Sequence, residues 1–255
     1  MNEQSGIPAV TIIDVYTCIG QQPEDDRDLS ADTLLEQMAI EGIDQALCSS
    51  FAAIRYDGEI GNRELLATCL AHPRLLPLAV FNPAPFVNNA VLISYYKQMQ
   101  FLGLRFMPYR QGWSLESEPF QRAVYLSAEL GLPISVELGA SGDATRLSHL
   151  GAGLEIPVIL ANVTYAIMGE AIAVLESHDN LYLEVNRLVS PSIIEVLVAR
   201  LGAERLLFAS GAPAWQIAPT LELVRQAEIS ASAQAAILGG TARRIYRLEG
   251  REAGI

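Results

Sequence analysis

Lysine is nearly missing from this chain of 255 residues: Lys97 is the only one, and the rest of the basic complement is arginine. A lysine Schiff-base mechanism therefore has one candidate, placed in a helix-like stretch, and is set aside. Histidine is almost as scarce, with only His72, His149 and His178. The three cysteines, Cys18, Cys48 and Cys69, are scattered and form no C-x-x-C pair, so they are expected to be reduced thiols. No apolar run reaches the roughly 18–20 residues that a membrane span needs. The opening MNEQSGIPAV has neither the basic start nor the apolar run of a secretion signal, and a cytoplasmic location is expected. Positive charge is in deficit too: 17 basic residues face 29 acidic ones, a net charge of −12. That balance argues against a protein that tracks phosphates along nucleic acid.

What is present is apolar. Hydrophobic residues make up 51% of the chain and charged ones 18%, which excludes disorder over most of its length and supplies a core that needs no disulfide. Short apolar runs bounded by Gly, Pro, Asn or Asp recur at Ala9–Val15, Gln45–Ser50, Leu75–Phe81, Gly103–Met107, Pro133–Leu138, Pro157–Ala161, Leu181–Val185 and Leu206–Ala209. They read as strands buried on both faces. Amphipathic stretches separate them. Ser30 is placed to cap a helix over Ala31–Glu41 that stops at Gly42, and Asn62 to cap one ending before His72-Pro73. Pro119–Leu130 reads as a helix ending at Gly131, and Ser190-Pro191 as the opening of another that runs to Gly202. Eight strand–helix units of about 30 residues give the arithmetic of a single-domain (β/α)8 TIM barrel. The first turn, Thr17-Cys18-Ile19-Gly20, carries no G-x-G-x-x-G, which disfavours a dinucleotide-binding sheet. The barrel is expected over residues 8–248, with residues 1–7 and 249–255 as flexible ends.

Working residues of such barrels sit at the C-terminal ends of the strands. Those positions hold Tyr16 and Cys18, Ser49 and Ser50, Asn82, Tyr109 and Arg110, Glu137, Asn162, Asn186 and Arg187, and finally Ser210 and Gly211. Tyr109-Arg110-Gln111-Gly112-Trp113, with two aromatics and an arginine, is the most binding-like loop.

The order and spacing of "IIDVYTCIG" (12–20), "HPRLLPLAVFNP" (72–83), "GLRFMPY" (103–109), "NLYLEV" (180–185), "LGAERLLFASGAP" (201–213) and "ILGGTARRIYRL" (237–248) resemble the amidohydrolase superfamily, in its Amidohydro_2 branch of metal-dependent hydrolases and decarboxylases. The resemblance implies a TIM barrel with a divalent metal at its mouth. It also implies a ligand set that this chain does not carry. The family's opening Asp-x-His-x-His falls on Asp14-Val15-Tyr16-Thr17-Cys18, its strand-five histidine on Glu137 and its strand-six histidine on Asn162. The strand-eight aspartate falls on Gly211. Cys18 and Glu137 alone do not make a zinc site, and glycine offers no proton acceptor. No metal and no cofactor are therefore expected, and the residues point to a pseudoenzyme acting by partner or small-ligand binding. The partner would be a second copy, an intact family member, or a small anion.

Several readings stay open at this level. If Arg105 faces inward it meets Glu137, either as an ion pair filling the vacated metal cavity or as part of a carboxylate clamp with Arg110 or Arg187. Cys18 is an inert thiol in a histidine's space, or a nucleophile with Glu137 as base. Tyr16 packs, or orients a ligand; Asn162 and Asn186 satisfy one another or backbone groups, or bind one. The alternative to the pseudoenzyme is a metal-independent hydrolase or lyase for a small anionic substrate. In it Glu137 acts as acid or base, Arg105 and Arg110 stabilise charge, and Tyr16 or Tyr109 supplies a proton.

Overall fold

Alternating apolar runs and amphipathic stretches give alternating strands and helices around one closed sheet. The computed structural model describes residues 10–22, 26–85 and 89–248, so the expected flexible ends lie outside the described residues. The strand segments are β1 (Ile13–Ile19), β2 (Gln45–Ser50), β3 (Leu75–Pro77), β4 (Ala79–Val80), β5 (Leu104–Phe106), β6 (Ile134–Glu137), β7 (Val158–Ala161), β8 (Leu181–Glu184) and β9 (Leu206–Leu207). All neighbouring pairs are parallel, in the order β1-β2-β3 and β4 through β9. β3 and β4 are halves of one stave, broken after Pro77, which has no N–H to give a ladder. Backbone bonds from Val15 N–H to Phe208 and from Gly211 N–H to Tyr16 join the ends into a (β/α)8 barrel. No helix among the described residues is long and apolar enough to cross a membrane.

The core forms two shells. One lies between strands and helices and includes Leu34, Met38, Phe106, Phe120, Leu160 and Leu183. The other fills the barrel interior with Ile13, Val15, Leu47, Leu78, Ile159 and Leu207. Alternation along each strand sorts residues between them.

Local signals mostly hold. Ser30 Oγ accepts the Thr33 N–H at 3.2 Å to cap Ala31–Glu41, and Gly42 stops that helix at φ 72°. Three expectations change. The first strand begins four residues later than the apolar run suggests, so Tyr16 and Cys18 lie within it and not after it. The helix after Ser190-Pro191 starts only at Ile193, because Ser192 sits in the left-handed region (φ 54°). Asn62 is not a cap: Asp57 caps Gly58–Ala71, and Asn62 lies buried within that helix. Its amide donates to the Val80 carbonyl at 2.8 Å and accepts the Val80 N–H at 3.0 Å, standing in for a strand partner on the broken stave. Asn62→Ala, which strands both backbone groups, should destabilise the protein by about 3 kcal/mol. Urea unfolding checks this, and a loss well under 1 kcal/mol would contradict it.

Candidate functional site

A bulge in β1 aims the first strand's side chains. Asp14 is level with Ala46, but Thr17 is already level with Cys48, so one extra residue is accommodated between them. The extra residue shifts the alternation, and beyond Val15 it is Tyr16 and Cys18 that join the interior shell. Both line a cavity of about 310 Å³ at the C-terminal mouth, with Met107, Arg110, Asn162, Asn186, Arg187, Ser210 and Trp215.

Beneath the mouth lies a buried ionic layer. Asp14 is fully buried; its Oδ1 accepts the N–H of Tyr16 at 3.1 Å and of Ser210 at 3.0 Å, and Ser210 Oγ–H donates to Oδ2. Burial pushes Asp14 up to about 6 in spite of those bonds. Arg105 also faces inward and is fully buried, but its partner is not Glu137. Its Nη2 donates to the Val15 carbonyl at 2.7 Å and to Glu184 Oε1 at 3.0 Å, and the guanidinium lies 4.1 Å over the Tyr16 ring. The register explains the correction. Arg105 is level with Ser135, and Glu137 sits two residues nearer the mouth, about 6–7 Å along the strand. Ser135 Oγ–H also donates to Glu184 Oε1, at 2.9 Å, yet burial outweighs both partners and lifts Glu184 to about 7.

One layer up, Glu137 is buried and its Oε1 accepts Arg110 Nε–H at 3.2 Å, while Oε2 has no partner. The expected loop around Arg110 is in part a four-residue helix, Pro108–Gln111, closed by Gly112 at φ 72°. Tyr109 points elsewhere. Its hydroxyl donates to Asp143 Oδ2 at 2.6 Å, and its ring lies where a Cβ on Gly139 would come within 2.5 Å. It therefore latches a neighbouring loop and does not line the cavity. Arg105, sealed in the layer below, does not line it either.

Three mouth residues share an uncommon backbone. Asn162 (φ 59°), Arg187 (φ 60°) and Gly211 (φ 87°) follow the ends of β7, β8 and β9 in the left-handed region. Asn162 donates to the Leu138 carbonyl at 3.3 Å, not to Asn186, whose buried Oδ1 is unpartnered. Arg187 stacks 5.2 Å over Trp215. A Cβ at Gly211 would come within 2.9 Å of the same indole. Position 211 is thus built for glycine twice over, by φ and by contact.

His72 and His178 cap the ends of helices that precede β3 and β8, at the opposite face of the barrel, and His149 lies in the helix Asp143–Gly151. Among the described residues no group of three or more His, Cys, Asp or Glu side chains comes together as a metal site would need. Burial drives the Cys18 thiol well above its ordinary range, and the Tyr16 hydroxyl likewise. Only a thiolate alkylates readily. Iodoacetamide at pH 8 should therefore modify Cys18 about a hundredfold more slowly in the folded protein than in the unfolded chain. Rapid labelling, read by peptide mass spectrometry, would instead favour the nucleophile.

Neither Glu184 nor Trp215 is singled out by the sequence, and Ser210 is placed at the mouth without a role. Glu184 had a signal: an acid inside the apolar run Leu-Tyr-Leu-Glu-Val, in a strand that reads as buried on both faces.

With the geometry in place, comparison with known proteins decides the family. The model of the amidohydrolase family Amidohydro_2 matches residues 10–248, almost the whole chain. The chain belongs to that family. Solved structures resemble it closely in fold at low identity. The 5-carboxyvanillate decarboxylase LigW from Sphingomonas paucimobilis has a TM-score of 0.74 at 18% identity, covering 94% of this chain and 99% of its own. A 5-carboxyvanillate decarboxylase from Novosphingobium aromaticivorans, complexed with manganese and a nitrobenzoic acid, gives 0.76 at 13%, covering 94% and 97%. A Pseudomonas putida protein assigned as a 2-pyrone-4,6-dicarboxylic acid hydrolase gives 0.74 at 17%, covering 94% and 98%. No curated protein matches the chain.

Proposed function

We propose that this barrel binds a small organic anion at its mouth without a catalytic metal, and that it does not carry out hydrolysis or decarboxylation. One observation carries the reading: Arg27, Arg110 and Arg187 line the cavity and no carboxylate does among the described residues, in a chain of net charge −12. Concentrated positive charge in a concave site selects anions. The similar structures are 5-carboxyvanillate decarboxylases, one of them complexed with manganese and a nitrobenzoic acid, which makes a carboxylate the natural class of ligand.

The residues present do not fit a divalent cation. Each buried acid among the described residues already has a partner: Glu137 has Arg110, Glu184 has Arg105, Asp14 holds Ser210 and Asp143 holds Tyr109. Of the donors left at the mouth, Cys18 is held as a neutral thiol, and Asn162 and Asn186 are amides. A cation would also face a cavity lined by three arginines, Arg27, Arg110 and Arg187. A metal-independent enzyme is the second reading, favoured by the unpartnered Oε2 of Glu137, although that carboxylate lies under Arg110 and outside the cavity lining.

Elemental mass spectrometry of the purified protein, joined to thermal unfolding with benzoate or citrate, tests the proposal. It expects no stoichiometric divalent metal and a saturable rise in melting temperature. A stoichiometric metal whose chelation removes a decarboxylase or hydrolase activity would overturn it.

A further inference from the structure

The mouth cavity does not end at Arg110. A second cavity, of about 360 Å³, adjoins it, and Ile54 and Arg110 line both. Phe81 and Tyr96 are nearly fully buried and pack edge to face with centroids 6.4 Å apart, giving the second cavity an aromatic base; Tyr56 and Leu92 are more exposed on its wall. Arg55, Asp57 and Glu59 stand at its solvent-exposed edge, and one buried polar group in its lining is unspent. Gln111 Oε1 accepts the Trp113 Nε1–H at 3.2 Å, and because indole can only donate, this contact fixes which end of the amide is nitrogen. Gln111 Nε2 is then a buried donor with no acceptor. Such a group is costly unless something it binds supplies an oxygen.

We infer that the two cavities form one bipartite site for an elongated carboxylate. The head lies at Arg110 and Arg187, and an apolar or aromatic tail crosses Arg110 into the second cavity. A carbonyl oxygen near the start of the tail accepts from Gln111 Nε2. This rests on the reading of the mouth as an anion site and adds the shape and composition of the ligand. The chemistry that meets all three features is an acylated amino acid: a carboxylate, an amide and an apolar group in line.

Calorimetric titration of the full chain with benzoate, hippurate and 4-phenylbutanoate tests it, because the last is the carbon analogue of hippurate without the amide. Hippurate is expected to bind about tenfold more tightly than benzoate, from burial of its ring and the bond to Gln111. Leu92→Trp, which fills the second cavity, should remove that gain and leave benzoate binding unchanged. Gln111→Leu, at a half-exposed site, should bring hippurate down to the level of 4-phenylbutanoate, and it serves if Leu92→Trp fails to fold. Equal affinity for benzoate and hippurate, or a gain that survives both substitutions, overturns the bipartite site and leaves the mouth reading standing. Absence of binding by all three carboxylates overturns both.

Discussion

Arg105→Met is expected to lower the free energy of unfolding by about 3–5 kcal/mol, the usual consequence of removing one partner from a buried ion pair. The substitution keeps most of the apolar stem, so the loss is electrostatic. Glu184 would keep only the Ser135 hydroxyl, and the Val15 carbonyl would lose its donor. Restoring neutrality with Arg105→Met/Glu184→Gln should recover part of the loss, since Ser135 retains an acceptor and no unpaired charge remains.

The loss should also depend on pH. Asp14 at about 6 and Glu184 at about 7 both lie above their ordinary values, chiefly through burial. Between about pH 4 and 7 the folded state therefore binds more protons than the unfolded chain. The stability this confers is fully present below the unfolded values near 4 and is lost as pH rises through 6 and 7. Asp28, Glu170 and Glu222, lowered by hydrogen bonds, act in the opposite sense, and their contribution is lost as pH falls through their folded values. The wild type should accordingly be more stable at pH 5 than at pH 8. A protonated Glu184 needs no cation, so Arg105→Met should be penalised more at pH 8. Urea unfolding at the two pH values decides it; an equal penalty would mean that the methionine acts through packing alone.

These effects come from a layer only partly legible in the sequence. The eight-fold alternation, the cap at Ser30 and the stop at Gly42 are local signals, and they place the barrel and its mouth. The buried pairing depends on register. Reading Arg105 and Glu137 as neighbours requires only that strands four and five adjoin, and they do as β5 and β6. Whether the two residues share a layer depends on a stagger that neither strand encodes alone. The bulge in β1 is hidden for a related reason, since the extra residue between Asp14 and Thr17 is extra only relative to β2. Asn62 was misread because asparagine before an amphipathic run is a cap signal, whereas its partner here, Val80, is 18 residues away. Gly211 was legible as an absence, and the structure adds why the absence is stable, with φ 87° and the Trp215 indole occupying a side chain's space.

Arg187→Gln and Arg110→Gln should separate ligand binding from stability. Arg187 is exposed, stacks on Trp215 and forms no ion pair among the described residues, so its loss should leave the melting temperature nearly unchanged. If it holds the anion, carboxylate affinity should fall about tenfold or more, as expected for a charge-assisted bond. Arg110 has two roles. Its Nε–H bonds the buried Glu137, and the guanidinium also faces the cavity. Arg110→Gln should therefore weaken carboxylate binding to a similar degree and destabilise the fold as well, because Glu137 is left in the interior without its cation. Arg110→Gln/Glu137→Gln should recover the melting temperature without recovering the affinity. A double variant that regains both would show that Arg110 matters to the ligand only through the packing of Glu137, and the anion site would then rest on Arg187 and Arg27.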